Sequence, residues 1–371
     1  MMLKALVNCI IFSEGTEQSG KAVLIQGDSI LDIVPAENIP PSAETTDLNG
    51  AYLSPGFIDL QIYGSGGKLF GGNPTVEALH QMENDLLAQG TTGFLATVAT
   101  NTPQIVEQAI ASAKEYRRIA KGNFLGLHLE GPYLNPIRRG AHPENLIKKA
   151  PLDEVKNWVE SAEGEVKMIT IAPELQDKEV IDYLNQQKVI VSCGHSNASY
   201  EQACGFFQNV QAATHLYNAM PPIHHREPGL IPAIFRRRPY TSIVADGVHV
   251  SYPMIELAKR ELQDRLFLIT DAVTSTTEGV YPHVFTGDRY TMPDGTLSGS
   301  ALTMLKAVQN CAENAEISLP EAVNMACLYP AKLLKADQFG KVAKGFKANL
   351  TAFDNNFNIK VTTFNGVKFH Q

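Results

Sequence analysis

Residues 123–134, NFLGLHLEGPYL, combine a short apolar run with a carboxylate, Glu130, that stands directly before Gly-Pro. The length and the apolar character of this run are typical of a buried β-strand. Seven further runs of the same kind end in Gly, Pro, His, Asp or Asn, and they are GFIDLQIYG (56–64), GTTGFLATVAT (90–100), VKMITIAPE (166–174), VIVSCGHS (189–196), AATHLYNAM (212–220), TSIVADGVHV (241–250) and LFLITDAV (266–273). Because helix-like stretches such as residues 75–90 separate them, they predict an α/β fold, a (β/α)8 TIM-like barrel.

Both ends of the chain differ from this central pattern. The first fifty residues and the tail over 345–369 consist of short strand-like runs that are separated by Gly, Ser and Asn. We therefore predict that the two ends form one small accessory β-sandwich domain, residues 1–52 with 346–371. The catalytic barrel domain is predicted over 53–345.

Composition excludes several classes of protein. The 371 residues carry a formal net charge of −8, which argues against a sequence-independent nucleic-acid binder. No apolar run is long enough to cross a membrane, so no membrane partner is expected. The five cysteines form no CxxC pair, which favours a reducing, cytoplasmic location; they are Cys9, Cys193, Cys204, Cys311 and Cys327.

Three of the predicted strand ends carry residues that bind metals. Glu130 closes the third run, His195 closes the fifth, and His215 lies in the sixth. Side chains at the carboxyl ends of barrel strands face one mouth, where barrel enzymes keep their active sites. One carboxylate and two imidazoles with an open water position suit a catalytic zinc site. Taken singly, however, a Glu before Gly-Pro is also typical of a turn, and a strand-end His is also typical of a hydrogen-bonded core residue.

Asp271, at the end of the eighth run, could exchange protons at the same mouth, although an Asp in this position is also typical of an N-cap. His142 and His249 could orient a polar substrate or could be surface histidines. Arg226 is a candidate phosphate clamp because guanidinium pairs bidentately with phosphate. His128 points to the same face as Glu130 but one layer deeper, so a packing or supporting role is expected for it.

The motifs resemble those of the amidohydrolase superfamily, and within it the family of N-acetylglucosamine-6-phosphate deacetylases. The resemblance extends over residues 55–304. It is carried by the strings PGFIDLQIYGSGG, GLHLEGPYLNP, RGAH, CGHS, THLYNAMPP, REPGL, ADGVHV, LITDAV and LSGSALTM.

The resemblance implies hydrolysis of the acetamide of N-acetylglucosamine 6-phosphate to glucosamine 6-phosphate and acetate, in amino-sugar catabolism. It implies that Glu130, His195 and His215 hold one divalent ion, with zinc expected and iron, manganese or cobalt as alternatives. It makes Asp271 the general base and acid. The implied substrate contacts are Ala141, His142, Asn218, Ala219, Arg226, Asp246, Gly247, Val248, His249, Leu297, Ser298 and Gly299. A homodimer is expected, with Arg226 reaching the phosphate across the subunit interface.

One departure from the superfamily pattern bears on the number of metal ions. Many amidohydrolases carry His-x-His at the end of the first strand, where this chain has Gln61-Ile62-Tyr63. Glutamine binds divalent metals weakly, and the tyrosine phenol is protonated near neutral pH. We therefore expect one metal ion per subunit.

Three alternatives stay open. The first is an N-acetylgalactosamine-6-phosphate deacetylase, whose substrate differs at one sugar hydroxyl. The second is another amidohydrolase that acts on cyclic amides, although such enzymes resemble two-metal proteins with His-x-His and a carboxylated lysine. The third is a sugar-phosphate-binding protein without catalysis, which would require the loss of a metal-binding or proton-transfer residue.

Overall fold

Residues 2–276 and 279–369 are described by the computed structural model of the protein. Their strands, numbered in chain order, are β1 (Leu3–Ser13), β2 (Thr16–Gln18), β3 (Lys21–Gln26), β4 (Ser29–Pro35), β5 (Glu44–Pro55), β6 (Phe57–Ile62), β7 (Gly64–Ser65), β8 (Lys68–Leu69), β9 (Thr91–Ala99), β10 (Phe124–Glu130), β11 (Val166–Ile171), β12 (Ile190–Cys193), β13 (Ala212–Ala213), β14 (Tyr240–Val244), β15 (Leu266–Ile269), β16 (Val284–Phe285), β17 (Arg289–Thr291), β18 (Leu297–Ser300), β19 (Leu350–Phe353), β20 (Ile359–Phe364) and β21 (Val367–Phe369).

The helices follow the same convention. They are α1 (Val76–Ala88), α2 (Pro103–Arg117), α3 (Leu152–Ser161), α4 (Lys178–Gln186), α5 (Tyr200–Phe206), α6 (Leu230–Arg237), α7 (Tyr252–Leu262), α8 (Met304–Asn314), α9 (Leu319–Ala326) and α10 (Leu328–Leu334). In the described part of the chain, none of them combines the length and the apolar character that crossing a bilayer requires.

A closed parallel barrel forms the centre of the fold. Its strands lie in the order β6, β9, β10, β11, β12, β13, β14, β15. Each neighbouring pair from β9 to β15 is parallel. A parallel bridge between Ile62 and Ala272 joins the first strand to the last, and the Asp271 N–H donates to the Gln61 carbonyl at 2.9 Å. Each of the eight predicted runs overlaps one of these strands, so the predicted fold class is confirmed.

The barrel strands are apolar along nearly their whole length because they are buried on both faces. All six residues of β6 are buried, as are the first eight of β9. Because helices cover parallel sheets, such strands lose the alternation of exposed and buried residues.

Helix α2 illustrates how the connecting segments form. The Thr102 side chain accepts from the Ile105 N–H at its start, and Pro103 occupies the first turn. Val106 and Ile110, four residues apart, are buried on one face of this helix.

The two chain ends build a separate sheet of eight strands. Its order is β21, β20, β19, β5, β1, β3, β4, with β2 paired to β1. β5 lies centrally, parallel to β1 and antiparallel to β19. Ile11, Ile25, Leu53 and Leu350 belong to its buried core. Each such side chain contributes roughly 1.5–3 kcal/mol on full burial.

The described residues divide into two units. One contains the chain up to residue 59, residues 84–93 and the chain from 303 onward; the other contains residues 60–83 and 94–302. The predicted domain limits, 1–52 with 346–371 against 53–345, remain a prediction. Residues 1, 370 and 371 of the predicted accessory domain lie outside the described residues.

Candidate active site

Glu130, His195 and His215 come together at one end of the barrel. Glu130 is the last residue of β10, while His195 and His215 each stand two residues beyond the ends of β12 and β13. Their candidate ligand atoms all lie within 4.8 Å of one another. Each of the three is at most 5% exposed. The sequence prediction placed them at the ends of the third, fifth and sixth barrel strands, which is where the structure has them.

The two imidazoles converge through an unusual backbone. His195 and His215 have φ angles of 47° and 35°, in the left-handed region. Such conformations cost roughly 1–3 kcal/mol each and persist where surrounding structure enforces them. The result is an Nε2–Nε2 distance of 3.1 Å, with the Glu130 Oε1 atom 3.2 Å from His215 Nε2 and 3.5 Å from His195 Nε2.

This donor set fits one divalent cation. The Nδ1 of His195 lies 2.8 Å from the Arg138 carbonyl oxygen, so Nδ1 must donate and Nε2 presents its lone pair to the centre. Burial, reinforced by the neighbouring His142, lowers the pKa of His195 to about 4 and favours the neutral form that binds metals. For His215, burial lowers the pKa, but the hydrogen bond and the negative charge of Glu130 outweigh it, so the pKa is raised. Buried electron-pair donors at these distances require a cation or a proton between them.

Asp271 lies beside this cluster, after β15, with a φ angle of 54°. Its Oδ1 accepts from the Gln61 amide at 2.8 Å. Burial, with the negative charge of Glu130, raises its pKa, although the neighbouring His215 and His249 oppose the shift. A carboxylate with a raised pKa is suited to accept and return a proton.

His128 lies deeper in the barrel and is fully hydrogen-bonded. Its Nδ1 is 3.0 Å from the Leu60 carbonyl oxygen, and its Nε2 is 2.7 Å from Thr170 Oγ1. Burial lowers its pKa to about 4. With both ring nitrogens occupied, His128 supports the barrel interior, in line with the role expected from its position in the sequence.

A cavity of about 200 Å³ opens onto the Glu130 cluster. It is lined by Glu130, His195, His215 and Asp271 together. Eight of the predicted substrate contacts also line it: Ala141, His142, Asn218, Ala219, His249, Leu297, Ser298 and Gly299.

His142 and His249 are held in different ways. His142 Nδ1 lies 2.8 Å from Thr100 Oγ1, and its Nε2 lies 3.3 Å from Glu130 Oε2. His249 Nδ1 lies 2.6 Å from Asp246 Oδ2, and its Nε2 lies 2.7 Å from the Ser298 carbonyl oxygen. His249 therefore donates from both nitrogens when it is protonated.

Four predicted substrate contacts, Arg226, Asp246, Gly247 and Val248, do not line this cavity. The Asp246 carboxylate accepts from the backbone N–H groups of Val248 and His249, besides its contact with the His249 ring. Asp246 thus orients His249. Arg226 is exposed, with its Nη1 2.9 Å from His225 Nε2. Its predicted contact with substrate would be made through a second subunit and remains a prediction.

Tyr63, Tyr281 and His283 line the cavity but were not among the predicted site residues. The Tyr281 hydroxyl donates to the Thr100 carbonyl at 2.7 Å, and His283 Nδ1 lies 3.0 Å from Ser298 Oγ. The position of Tyr63, at the end of the first barrel strand, could have indicated its place. Tyr281 and His283 follow the last barrel strand in a segment without a recognisable motif.

Comparison with known proteins agrees with this geometry. The amidohydrolase family model matches residues 52–368, and the NagA composite domain matches residues 4–53. The chain belongs to the amidohydrolase family.

Its relatives define the branch of that family. The chain is 35% identical to an N-acetylglucosamine-6-phosphate deacetylase of Haemophilus influenzae, over 98% of this chain and 99% of that protein. A crystal structure of N-acetylglucosamine-6-phosphate deacetylase from Pasteurella multocida superposes with a TM-score of 0.96 at 34% identity, covering 100% of both chains. An N-acetylgalactosamine-6-phosphate deacetylase of a Shewanella species is 32% identical over 87% of this chain and 84% of that protein. The family predicted from the motifs is confirmed.

Proposed function

We propose that this chain hydrolyses the acetamide of N-acetylglucosamine 6-phosphate to glucosamine 6-phosphate and acetate, in amino-sugar catabolism. One observation carries the proposal: Glu130, His195, His215 and Asp271 share one cavity, in a chain that matches a deacetylase of this name along nearly its whole length. A binding protein without catalysis would lack one of these four residues.

The proposed cofactor is one divalent ion, held by Glu130, His195 and His215, with zinc favoured by the carboxylate and imidazole donors. Iron, manganese and cobalt suit similar ligands. When bound, such an ion polarises the amide carbonyl and makes a water molecule more acidic.

Asp271 performs the proton transfers in this proposal. It accepts a proton from the water as the oxygen attacks the acetyl carbon, and it returns a proton to the nitrogen as the C–N bond breaks. The products are acetate and a free amine. His142 would contact the substrate in this proposal, since it lines the cavity beside Glu130.

The remaining substrate contacts are proposed from the cavity lining and the motif positions. Asn218, Ala219 and the stretch from Leu297 to Gly299 would surround the sugar. His249, whose ring is held by Asp246 and by the Ser298 carbonyl, would lie beside the substrate, and Arg226 of a second subunit would bind the phosphate. We propose a homodimer on this basis. We propose a cytoplasmic location because the five cysteines form no disulfide.

The galactosamine epimer is the second candidate substrate, because a relative that carries that name is 32% identical to this chain. The two substrates differ at a single hydroxyl. One hydrogen bond in the cavity is enough to discriminate between them, by up to several orders of magnitude when a buried partner is left unpaired.

The test is acetate release from N-acetylglucosamine 6-phosphate by protein of known metal content, beside the galactosamine epimer and the unphosphorylated sugar. We expect fast release from the phosphorylated glucosamine derivative and about one metal ion per chain by elemental analysis. Faster release from the epimer would select the second candidate. No release from either sugar by metal-loaded protein would refute the proposed function.

A further inference from the structure

Tyr63 stands immediately after β6 and reaches the metal-binding cluster, yet the proposed reaction gives it no part. We propose that the Tyr63 hydroxyl is a positioning group for the metal centre: it holds the outer oxygen of Glu130, so that Glu130 offers the ion a single ligand oxygen. The inference rests on the metal centre of the proposed function.

The two oxygens of Glu130 have different surroundings. Oε1 faces the ring nitrogens of His215 and His195, at 3.2 and 3.5 Å. Oε2 accepts from the Tyr63 hydroxyl at 2.5 Å and lies 3.3 Å from His142 Nε2. The hydroxyl therefore occupies the oxygen that does not face His195 and His215.

Gln61 fixes the direction of that hydroxyl. Its Nε2 donates to the Tyr63 oxygen at 2.7 Å, so the hydroxyl proton is left for the carboxylates, where Glu130 Oε2 lies 2.5 Å away and Asp271 also interacts with the hydroxyl. The same Nε2 lies 3.0 Å from Glu130 Oε1 and 2.8 Å from Asp271 Oδ1. An amide donor thus stands between two carboxylates at the strand end where a His-x-His pair would hold a second cation.

Burial makes this contact effective. Tyr63 is 8% exposed, and Gln61 and Glu130 are 1% and 2% exposed. A hydrogen bond to a charged group is strengthened where water is excluded, and partners of this kind around a ligand commonly set metal affinity. Without the hydroxyl, only the longer contact with His142 Nε2 still holds Oε2, so this oxygen is less restrained from turning toward the ion.

The experiment compares Tyr63→Phe with the wild type, starting from metal-free full-length protein. Zinc affinity is measured by competition with a chelating dye, and the visible spectrum is recorded after loading with cobalt(II). We expect zinc affinity to fall about 10- to 100-fold. The cobalt absorption should weaken, as it does when a carboxylate binds through both oxygens and the coordination number rises.

Tyr281→Phe is the matched control. Tyr281 lines the same cavity, but its hydroxyl donates to the Thr100 carbonyl at 2.7 Å and not to Glu130. Its loss should leave both zinc affinity and the cobalt spectrum at wild-type values. Equal effects from the two variants would indicate a general packing role and overturn the inference.

Other outcomes separate the inference from the proposed function. Wild-type affinity and spectrum in Tyr63→Phe overturn the role of the hydroxyl and leave the metal centre standing. Failure of the wild-type protein to bind either metal overturns the centre itself. If Tyr63→Phe does not fold, as judged by circular dichroism, Gln61→Met tests the same contact by removing the donor that orients the hydroxyl. Unchanged affinity and spectrum in that variant also overturn the inference.

Discussion

At the scale of single residues, Asp271 carries the sharpest prediction. Asp271→Asn preserves the shape of the side chain and removes the group that accepts the proton. We expect turnover to fall at least about 10²-fold, the usual range for a lost general acid or base. Metal content and substrate binding should stay close to wild type, because the proposed ligands Glu130, His195 and His215 are untouched. Acetate release and elemental analysis of the same preparation measure both. Wild-type turnover in this variant would remove Asp271 from the mechanism.

His249 gives a prediction about pH. Burial alone would lower its pKa, but the hydrogen bond and charge of Asp246, together with the charge of Asp271, raise it above the ordinary value of 6.5. A raised histidine pKa means that the cation persists to higher pH and is lost as pH rises through that value. We expect KM for the phosphorylated sugar to rise as pH increases above 6.5 through the raised pKa, because a positive charge beside the anionic substrate is then lost. The rise should vanish in His249→Gln, and an equal rise in that variant would contradict the assignment.

The grouping of Glu130, His195 and His215, the proposed metal ligands, could be predicted because each lies at or near the end of a predicted strand, and parallel strands bring such ends to one mouth of the barrel. The presence of Tyr281 and His283 in the site could not be predicted from the sequence. They reach the cavity from the segment between β15 and β18, whose path is set by the pairing of β16 with β17 and of β17 with β18. Neither a hydrophobic periodicity nor a motif in that segment predicts this pairing.

At the scale of elements, Gly194 lies in the turn between β12 and His195. A substitution there tests how the barrel positions His195, a proposed metal ligand. Gly194 lies between neighbouring strand ends. A Cβ there would approach Thr170 Cγ2 to 2.6 Å and Thr214 Cβ to 3.0 Å. Because β-branched side chains cannot easily rotate away, Gly194→Ala should lower the free energy of unfolding by about 1–3 kcal/mol. Zinc affinity should fall as well, since relief of the clash moves His195. Urea denaturation and dye competition measure the two effects.

Gly205→Ala in α5 is the control for this change, because no heavy atom beyond its chain neighbours and the backbone of its own helix lies within 4 Å of the added Cβ. A helical Gly→Ala substitution should be neutral or stabilising by about 0.5–1 kcal/mol. Equal destabilisation in both variants would contradict the proposed clash at Gly194.

The sixth strand marks the limit of sequence reasoning at this scale. The apolar run over 212–220 predicts an extended segment, whereas β13 covers only Ala212–Ala213. The chain leaves the sheet because His215, Tyr217 and Ala219 have φ angles of 35°, 76° and 51°. The His215 N–H donates to Ser242 Oγ at 2.8 Å, a contact with the next part of the barrel that composition cannot reveal. The bend is what turns His215 inward.

At the scale of the whole molecule, both chain ends could be assigned to one terminal β domain, predicted as a sandwich, because each shows strand alternation beside a central region that does not. The order of the strands in the sheet that both ends form could not be predicted. β5 lies between β1, from the same end of the chain, and β19, from the other end. Residues more than 290 positions apart pair there, as in the contact of Leu53 with Ala352. Local patterns identify such strands but do not fix their partners.

Whether one active site uses two subunits can be decided by mixing two inactive variants. Arg226 is exposed and does not line the cavity of its own chain, whereas Asp271 does. Suppose that Arg226 binds phosphate in the site of the neighbouring subunit. The site of an Arg226→Ala chain then keeps its own Asp271 and needs only an arginine from the partner chain. An Asp271→Asn chain can supply that arginine. Mixed dimers, co-expressed with different tags and purified through both, should then regain up to about half of the wild-type activity per dimer, since one of two sites is complete. If Arg226 served its own chain, neither site of the mixed dimer would be complete and activity would stay at the level of the single variants.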